Sequence, residues 1–262
     1  MPYFKLRGKS CYYEEHGDGT PILFLHGNTA SSNMFMGIKD LFTNSFKAIT
    51  LDFLGHGKSD RLENFCTDLW YDEALQAIEF IEHMRYGKVH LIGSSGGALV
   101  AINISLERPD LVGKVIADSF EGEQPLREFT QNVIADREAS KQEEGAKSFY
   151  CAMHGEDWES VVDNDTYAIH EHAKSIGKFF HKPIETLNAN ILLTGSQEDE
   201  FISFIDPNYF TRVYTEMIEK IGHGGIHIFK QGGHPAIMSN SEEFRKVAEA
   251  FFQDNDCRKF NC

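Results

Sequence analysis

The chain has no long hydrophobic run, no excess of positive charge and few cysteines, and each shortage excludes something. No stretch approaches the roughly 20 apolar residues that span a bilayer. The opening residues Met1-Pro2-Tyr3-Phe4-Lys5 lack the basic region and apolar run of a secretory signal. The 25 Lys and Arg are outnumbered by 40 Asp and Glu, giving a formal charge of −15. Such a surface repels phosphate backbones and anionic headgroups, so neither nucleic acid nor a membrane is an expected partner. The same field mildly disfavours polyanionic substrates, although local charge in a pocket can override it. The five cysteines (Cys11, Cys66, Cys151, Cys257 and Cys262) are odd in number and scattered. They read as reduced thiols of a cytoplasmic protein. Internal repeats and low-complexity linkers are also missing.

What remains is globular. Hydrophobic residues make up 41% and charged residues 25% of 262 positions, enough for one α/β domain with a sizeable core. Short apolar runs alternate with longer helical patterns, as parallel strands joined by crossover helices do. Strands are expected at 12–15, 22–25, 48–51, 89–92, 112–117, 190–194 and 226–229. Helices are expected at 67–84, capped by Thr67 or Asp68, and at 98–107 and 207–220. A last helix begins at Asn240, where Glu243 would close a capping box, with Phe244, Val247, Ala248 and Phe251 as its buried stripe. Between about 118 and 182 the rhythm breaks into polar, helix-compatible sequence carrying large aromatics. Residues 254–262 read as a frayed tail.

Chemistry concentrates in Gly93-Ser94-Ser95-Gly96-Gly97, which follows a strand and enters a helix. A nucleophile presented there sits on a tight, strained turn, and the residues two before and two after it must be small. Gly93 and Gly97 satisfy that around Ser95. Centring on Ser94 would put Ile92 where a glycine is needed. The helix that follows aims its positive end at the site, and the Gly96 amide is free to stabilise an oxyanion.

With these residues in this order, the sequence resembles the α/β-hydrolase superfamily over nearly its whole length. The resemblance implies an α/β fold with a mostly parallel, eight-stranded-type sheet flanked by helices. Residues 1–118 and 186–262 would form the core and 119–185 a helical cap. His26-Gly27-Asn28 matches the loop whose third residue supplies the second oxyanion-hole amide, a role that passes to Asn28. Asp52-Phe53-Leu54-Gly55-His56-Gly57-Lys58-Ser59 resembles a structural turn of the family, which makes His56 structural. His234, in Gly232-Gly233-His234-Pro235, occupies the place of the general base. For the acid, the usual spacing from Gly195 selects Glu198, whereas the pattern Glu-Phe-Ile downstream selects Asp199, the favoured reading. Asp118, after the preceding strand, is a third option.

A serine at the elbow, rather than the aspartate of the family's dehalogenases and epoxide hydrolases, implies acyl transfer. The resemblance therefore implies a serine hydrolase of small-to-medium carboxylic esters, with no cofactor. A ligand-sensing receptor, a carbon–carbon hydrolase and a cofactor-free haloperoxidase are the alternatives. Phe129, Trp158 and Phe179 are expected to line the substrate pocket. His170-x-His172 is too sparse a set to imply a metal.

Overall fold

The computed structural model describes residues 2–202 and 205–253; the expected tail at 254–262 lies outside them. In chain order the strands are β1 Tyr3–Leu6, β2 Lys9–His16, β3 Thr20–Leu25, β4 Phe46–Leu51, β5 Val89–Ser94, β6 Val112–Asp118, β7 Asn190–Ser196 and β8 Gly225–Phe229. They form one eight-stranded sheet in the order β1-β2-β4-β3-β5-β6-β7-β8. β2 runs antiparallel to both β1 and β4, and all the other neighbouring pairs are parallel. Seven strands were expected; β1, the edge strand, is too short to show a period of its own.

The sheet divides the core. Along β3, Leu23 and Leu25 face one cluster while Ile22 and Phe24 face another, the period-two alternation of a strand buried on both sides. The first cluster is closed by α1 Leu69–Met84, α2 Gly96–Glu107 and, further along, by α7 Tyr209–Ile221. The second is closed chiefly by α9 Ser241–Gln253, through Phe244, Ala248, Phe251 and Phe252. α2 is buried all round except at its last residue, Glu107, which is why its sequence reads apolar on every side.

Between β6 and β7 the chain leaves the sheet for α3 Arg127–Thr130, α4 Val133–Ser140, α5 Glu144–His154 and α6 Trp158–Ser175, with no strand among these residues. A short helix α8, Ala236–Ser239, precedes α9.

Two expected caps take other work. Asp68 precedes α1 but makes no capping bond; its carboxylate accepts from His181 at 2.6 Å instead. Asn240 does not form a capping box: its side-chain amide donates to Ser196 Oγ (3.1 Å) and to the Gln231 carbonyl (3.0 Å). For Asp68 a tertiary partner outcompetes the local one, while the Asn240 backbone amide that Glu243 would bind donates to the Ala236 carbonyl at 2.9 Å. The helix starts survive because the buried apolar stripes carry them.

Candidate active site

The carboxyl ends of the parallel strands converge on one place, where ligand crevices of open α/β sheets form. β5 ends in Ser94 and passes through Ser95 into α2. Ser95 holds φ 55° and ψ −124°, a region that side chains other than glycine rarely adopt. Its neighbours make the turn possible. A Cβ on Gly93 would lie 2.0 Å from the Gly97 carbonyl oxygen, and one on Gly97 would lie 2.1 Å from the Leu25 carbonyl oxygen. Two backbones therefore touch at each position. The Ser95 amide donates to the Asp118 carbonyl at 2.7 Å, pinning the turn to β6. Ser94 points elsewhere: it is fully buried, with Oγ 3.4 Å from an Asp118 carboxylate oxygen.

His234 stands on the loop after β8, with Nε2 3.0 Å from Ser95 Oγ and Nδ1 2.8 Å from Asp199 Oδ2. With its proton on Nδ1, directed at the carboxylate, the ring leaves Nε2 as acceptor for the serine hydroxyl. Burial works against the charged imidazolium, but the bond to Asp199 and the negative charges of Asp199, Asp118 and Glu200 carry its pKa above the ordinary 6.5.

Three consecutive acids grip this loop. Asp199 is fully buried, and its second oxygen accepts from the Phe201 amide at 3.0 Å. Glu198 is exposed and accepts from the Gly232 amide at 3.2 Å, away from the imidazole. Glu200 accepts from the backbone amide of His234 at 2.8 Å. Asp118 lies beneath, held by Thr194 Oγ1 (2.8 Å) and the Ile237 amide (3.1 Å), and burial pushes its pKa up to about 6.

Opposite His234, the turn after β3 brings Gly27 and Asn28 against the elbow. A Cβ on Gly27 would meet the Ser95 Cβ at 2.9 Å, and one on Gly96 would meet Asn28 Oδ1 at 2.2 Å. Gly96 opens α2, so its amide is among those a helix leaves without an internal acceptor. The Asn28 side chain is held between Trp70, whose Nε1 donates to Oδ1 at 3.2 Å, and Asp165, which accepts from Nδ2 at 3.3 Å.

Asp165 was not foreseen. It projects from α6, is fully buried, and also accepts from the Thr29 amide (2.8 Å) and from His56 Nε2 (3.0 Å). Burial opposes its charge, yet these bonds and the His56 charge hold its pKa below the ordinary carboxylate value. His56 is 1% exposed and makes this contact rather than any with Ser95. A signal for Asp165 was present: it interrupts the buried stripe Trp158, Val161, Val162, Ala168, Ile169 of α6, and an acid on an apolar face needs a partner.

A cavity of about 460 Å³ opens over Ser95 and His234, walled by Asn28, Trp70, Phe120 and Met238 from the sheet side and by Phe129 and Phe149 from the helical segment. Of the three aromatics expected here, only Phe129 lines it. Trp158 instead stacks on Tyr150 inside the helical segment, with centroids 5.5 Å apart, because Tyr150, Val162 and Trp158 form a small core of their own. Phe179 is 1% exposed and packs edge-on against Trp70 in the main core. His172 is bound to the backbone carbonyls of Thr67 and Lys178.

A family model described as the alpha/beta hydrolase fold matches residues 20–146, the segment that carries the Asn28 loop and the elbow. This segment belongs to the α/β-hydrolase superfamily. Among curated relatives, an (E)-2-((N-methylformamido)methylene)succinate hydrolase from Acinetobacter baylyi is 33% identical over 112 residues. That match spans 41% of this chain and 40% of the enzyme, about two-fifths of each. A human protein, serine hydrolase BPHL, is 23% identical over 270 residues, 95% of this chain and 84% of that protein. An esterase from Exiguobacterium antarcticum has the same fold, with a TM-score of 0.73 at 19% identity over 94% of this chain and 97% of that one.

Proposed function

We propose that the protein is a serine hydrolase that cleaves small-to-medium carboxylic esters through an acyl-enzyme on Ser95. The observation that carries this reading is the continuous relay from Ser95 Oγ to His234 to Asp199, at 3.0 and 2.8 Å, opening into a largely apolar cavity. His234 takes the Ser95 proton as Oγ attacks the acyl carbonyl, and Asp199 stabilises the imidazolium that forms. The backbone amides of Asn28 and Gly96 receive the developing oxyanion. The imidazolium protonates the departing alcohol. Water, deprotonated by His234, then releases the acid and restores Ser95. Each step uses water and groups of the chain alone.

The segment 119–185 acts in this reading as a cap, since Phe129 and Phe149 close the cavity over the serine. Three cysteines among the described residues, Cys11, Cys66 and Cys151, are unpaired, which supports a reducing, cytoplasmic setting. No helix among the described residues is long and apolar enough to cross a membrane.

The test is turnover of p-nitrophenyl acetate and butyrate by the wild type and by Ser95→Ala, with fluorophosphonate labelling to locate the nucleophile. Multiple turnover lost in the variant, together with a label on Ser95, supports the proposal. Equal rates in the two proteins refute it. Stoichiometric binding without turnover would favour a ligand sensor instead.

A further inference from the structure

The helical wall of the cavity carries a cation that ester hydrolysis does not require. Arg137, on α4, lines the cavity that holds Ser95 and His234. Its Nη1 donates to the Tyr150 hydroxyl at 2.9 Å, and the guanidinium carbon lies 6.0 Å from the centre of that ring. Its Nε is buried and has no hydrogen-bond partner. Among the described residues its one hydrogen-bonded side-chain partner is therefore a neutral hydroxyl. The acids nearby are committed. Asp165, whose pKa its charge helps to lower, spends its oxygens on Thr29, Asn28 and His56. Glu200 is bound to the His234 amide. Glu121 also lines the cavity, but burial pushes its pKa up to about 7, which diminishes its charge at neutral pH.

A guanidinium donor removed from water and left without an acceptor is unfavourable unless something else supplies the acceptor. In a protein of net charge −15, the one Lys or Arg among the described residues lining this largely apolar cavity also creates a local field opposite to that of the surface. The planar fork of arginine matches the two oxygens of a carboxylate, a common anionic group of metabolite esters.

We propose that Arg137, with Tyr150, is the recognition site for a carboxylate on the substrate, so that the preferred substrates are anionic esters such as half-esters of dicarboxylic acids. This rests on the hydrolase reading for its catalytic consequence, but the anion site itself does not. The guanidinium, steadied by the Tyr150 hydroxyl at Nη1, receives the carboxylate in the same cavity in which Ser95 meets the ester carbonyl.

The experiment compares mono-p-nitrophenyl glutarate with p-nitrophenyl butyrate, which release the same chromophore, in the wild type, Arg137→Gln and Arg137→Lys. The quantity read is the ratio of the two kcat/KM values, in which general damage to the fold cancels. The wild type should favour the anionic ester, Arg137→Gln should lower the ratio by about 10- to 100-fold, and Arg137→Lys should recover part of it. An unchanged ratio in Arg137→Gln overturns the proposal. A second measurement needs no turnover: glutarate should raise the melting temperature of Ser95→Ala, and the rise should vanish in the Ser95→Ala/Arg137→Gln double variant. If glutarate stabilises through Arg137 while neither ester is turned over, the anion site stands and the hydrolase reading fails. If both esters are turned over without charge preference and glutarate does not bind, the anion site fails and the hydrolase reading stands.

Discussion

Replacing Asp165 by alanine should disable the active site from a residue that never touches the substrate cavity. The carboxylate accepts from the Thr29 amide at 2.8 Å, from His56 Nε2 at 3.0 Å and from Asn28 Nδ2 at 3.3 Å, so its loss frees three donors inside the fold. Removing one partner of a buried ionic contact costs about 3–5 kcal/mol, and this contact joins the helical segment to the loop that carries the Asn28 amide. Thr29 also holds a positive φ of 54°, a conformation that the loop keeps only while it is pinned. If the Asn28 amide drifts, one oxyanion donor is lost, worth roughly 10²- to 10³-fold in kcat. Asp165→Ala should therefore lose about 3 kcal/mol in urea unfolding and about two orders of magnitude in kcat on p-nitrophenyl butyrate, with a smaller change in KM. Asp165→Asn keeps an acceptor for Thr29 and should fall between. A folded Asp165→Ala protein that retains kcat within about twofold would refute the reasoning, because the loop would then hold its shape unaided.

Other outcomes follow from the same geometry. Because the His234 pKa is raised, and the neutral ring is the active form, kcat/KM should fall as pH drops through a value above 6.5. Asp199→Ala removes the bond that raises it, so that acid limb should move to lower pH while kcat drops by up to roughly 10⁴-fold, read in a pH–rate profile. Glu198→Gln, which keeps an acceptor for the Gly232 amide at an exposed position, should leave kcat within about threefold. Gly93→Ala forces a Cβ to 2.0 Å from the Gly97 carbonyl and should prevent folding or lower the melting temperature sharply. Gly145→Ala, in α5 with nothing within 4 Å of its Cβ, should raise stability by about 0.5–1 kcal/mol.

The elbow was legible because its requirements are local: Ser95 needs a strained φ, and Gly93 and Gly97 need backbone contact, all within five residues. The parallel strands were legible because burial on both faces makes them continuously apolar. The acid was harder, since the turn from Ser196 to Asp199 takes its register from Phe229, whose carbonyl accepts the Gln197 amide, and that partner is distant in sequence. Asp165 meets Asn28 across 137 positions, beyond any periodicity. The destinations of Trp158 and Phe179 were open for the same reason: an aromatic in a helical segment can fill a cavity wall or a core, and only the packing of its neighbours decides which.

The run Glu198-Asp199-Glu200 holds three points of the His234 loop, and each acid has a different task. Exchanging the first two would conserve charge, composition and nearly all volume, yet would bring the longer side chain to a fully buried site shaped for the shorter one. Information here lies in order rather than in kind. A lineage drifting through acidic substitutions in this turn would keep its isoelectric point and lose its chemistry, so the turn tolerates far less neutral variation than its polar, solvent-facing composition suggests.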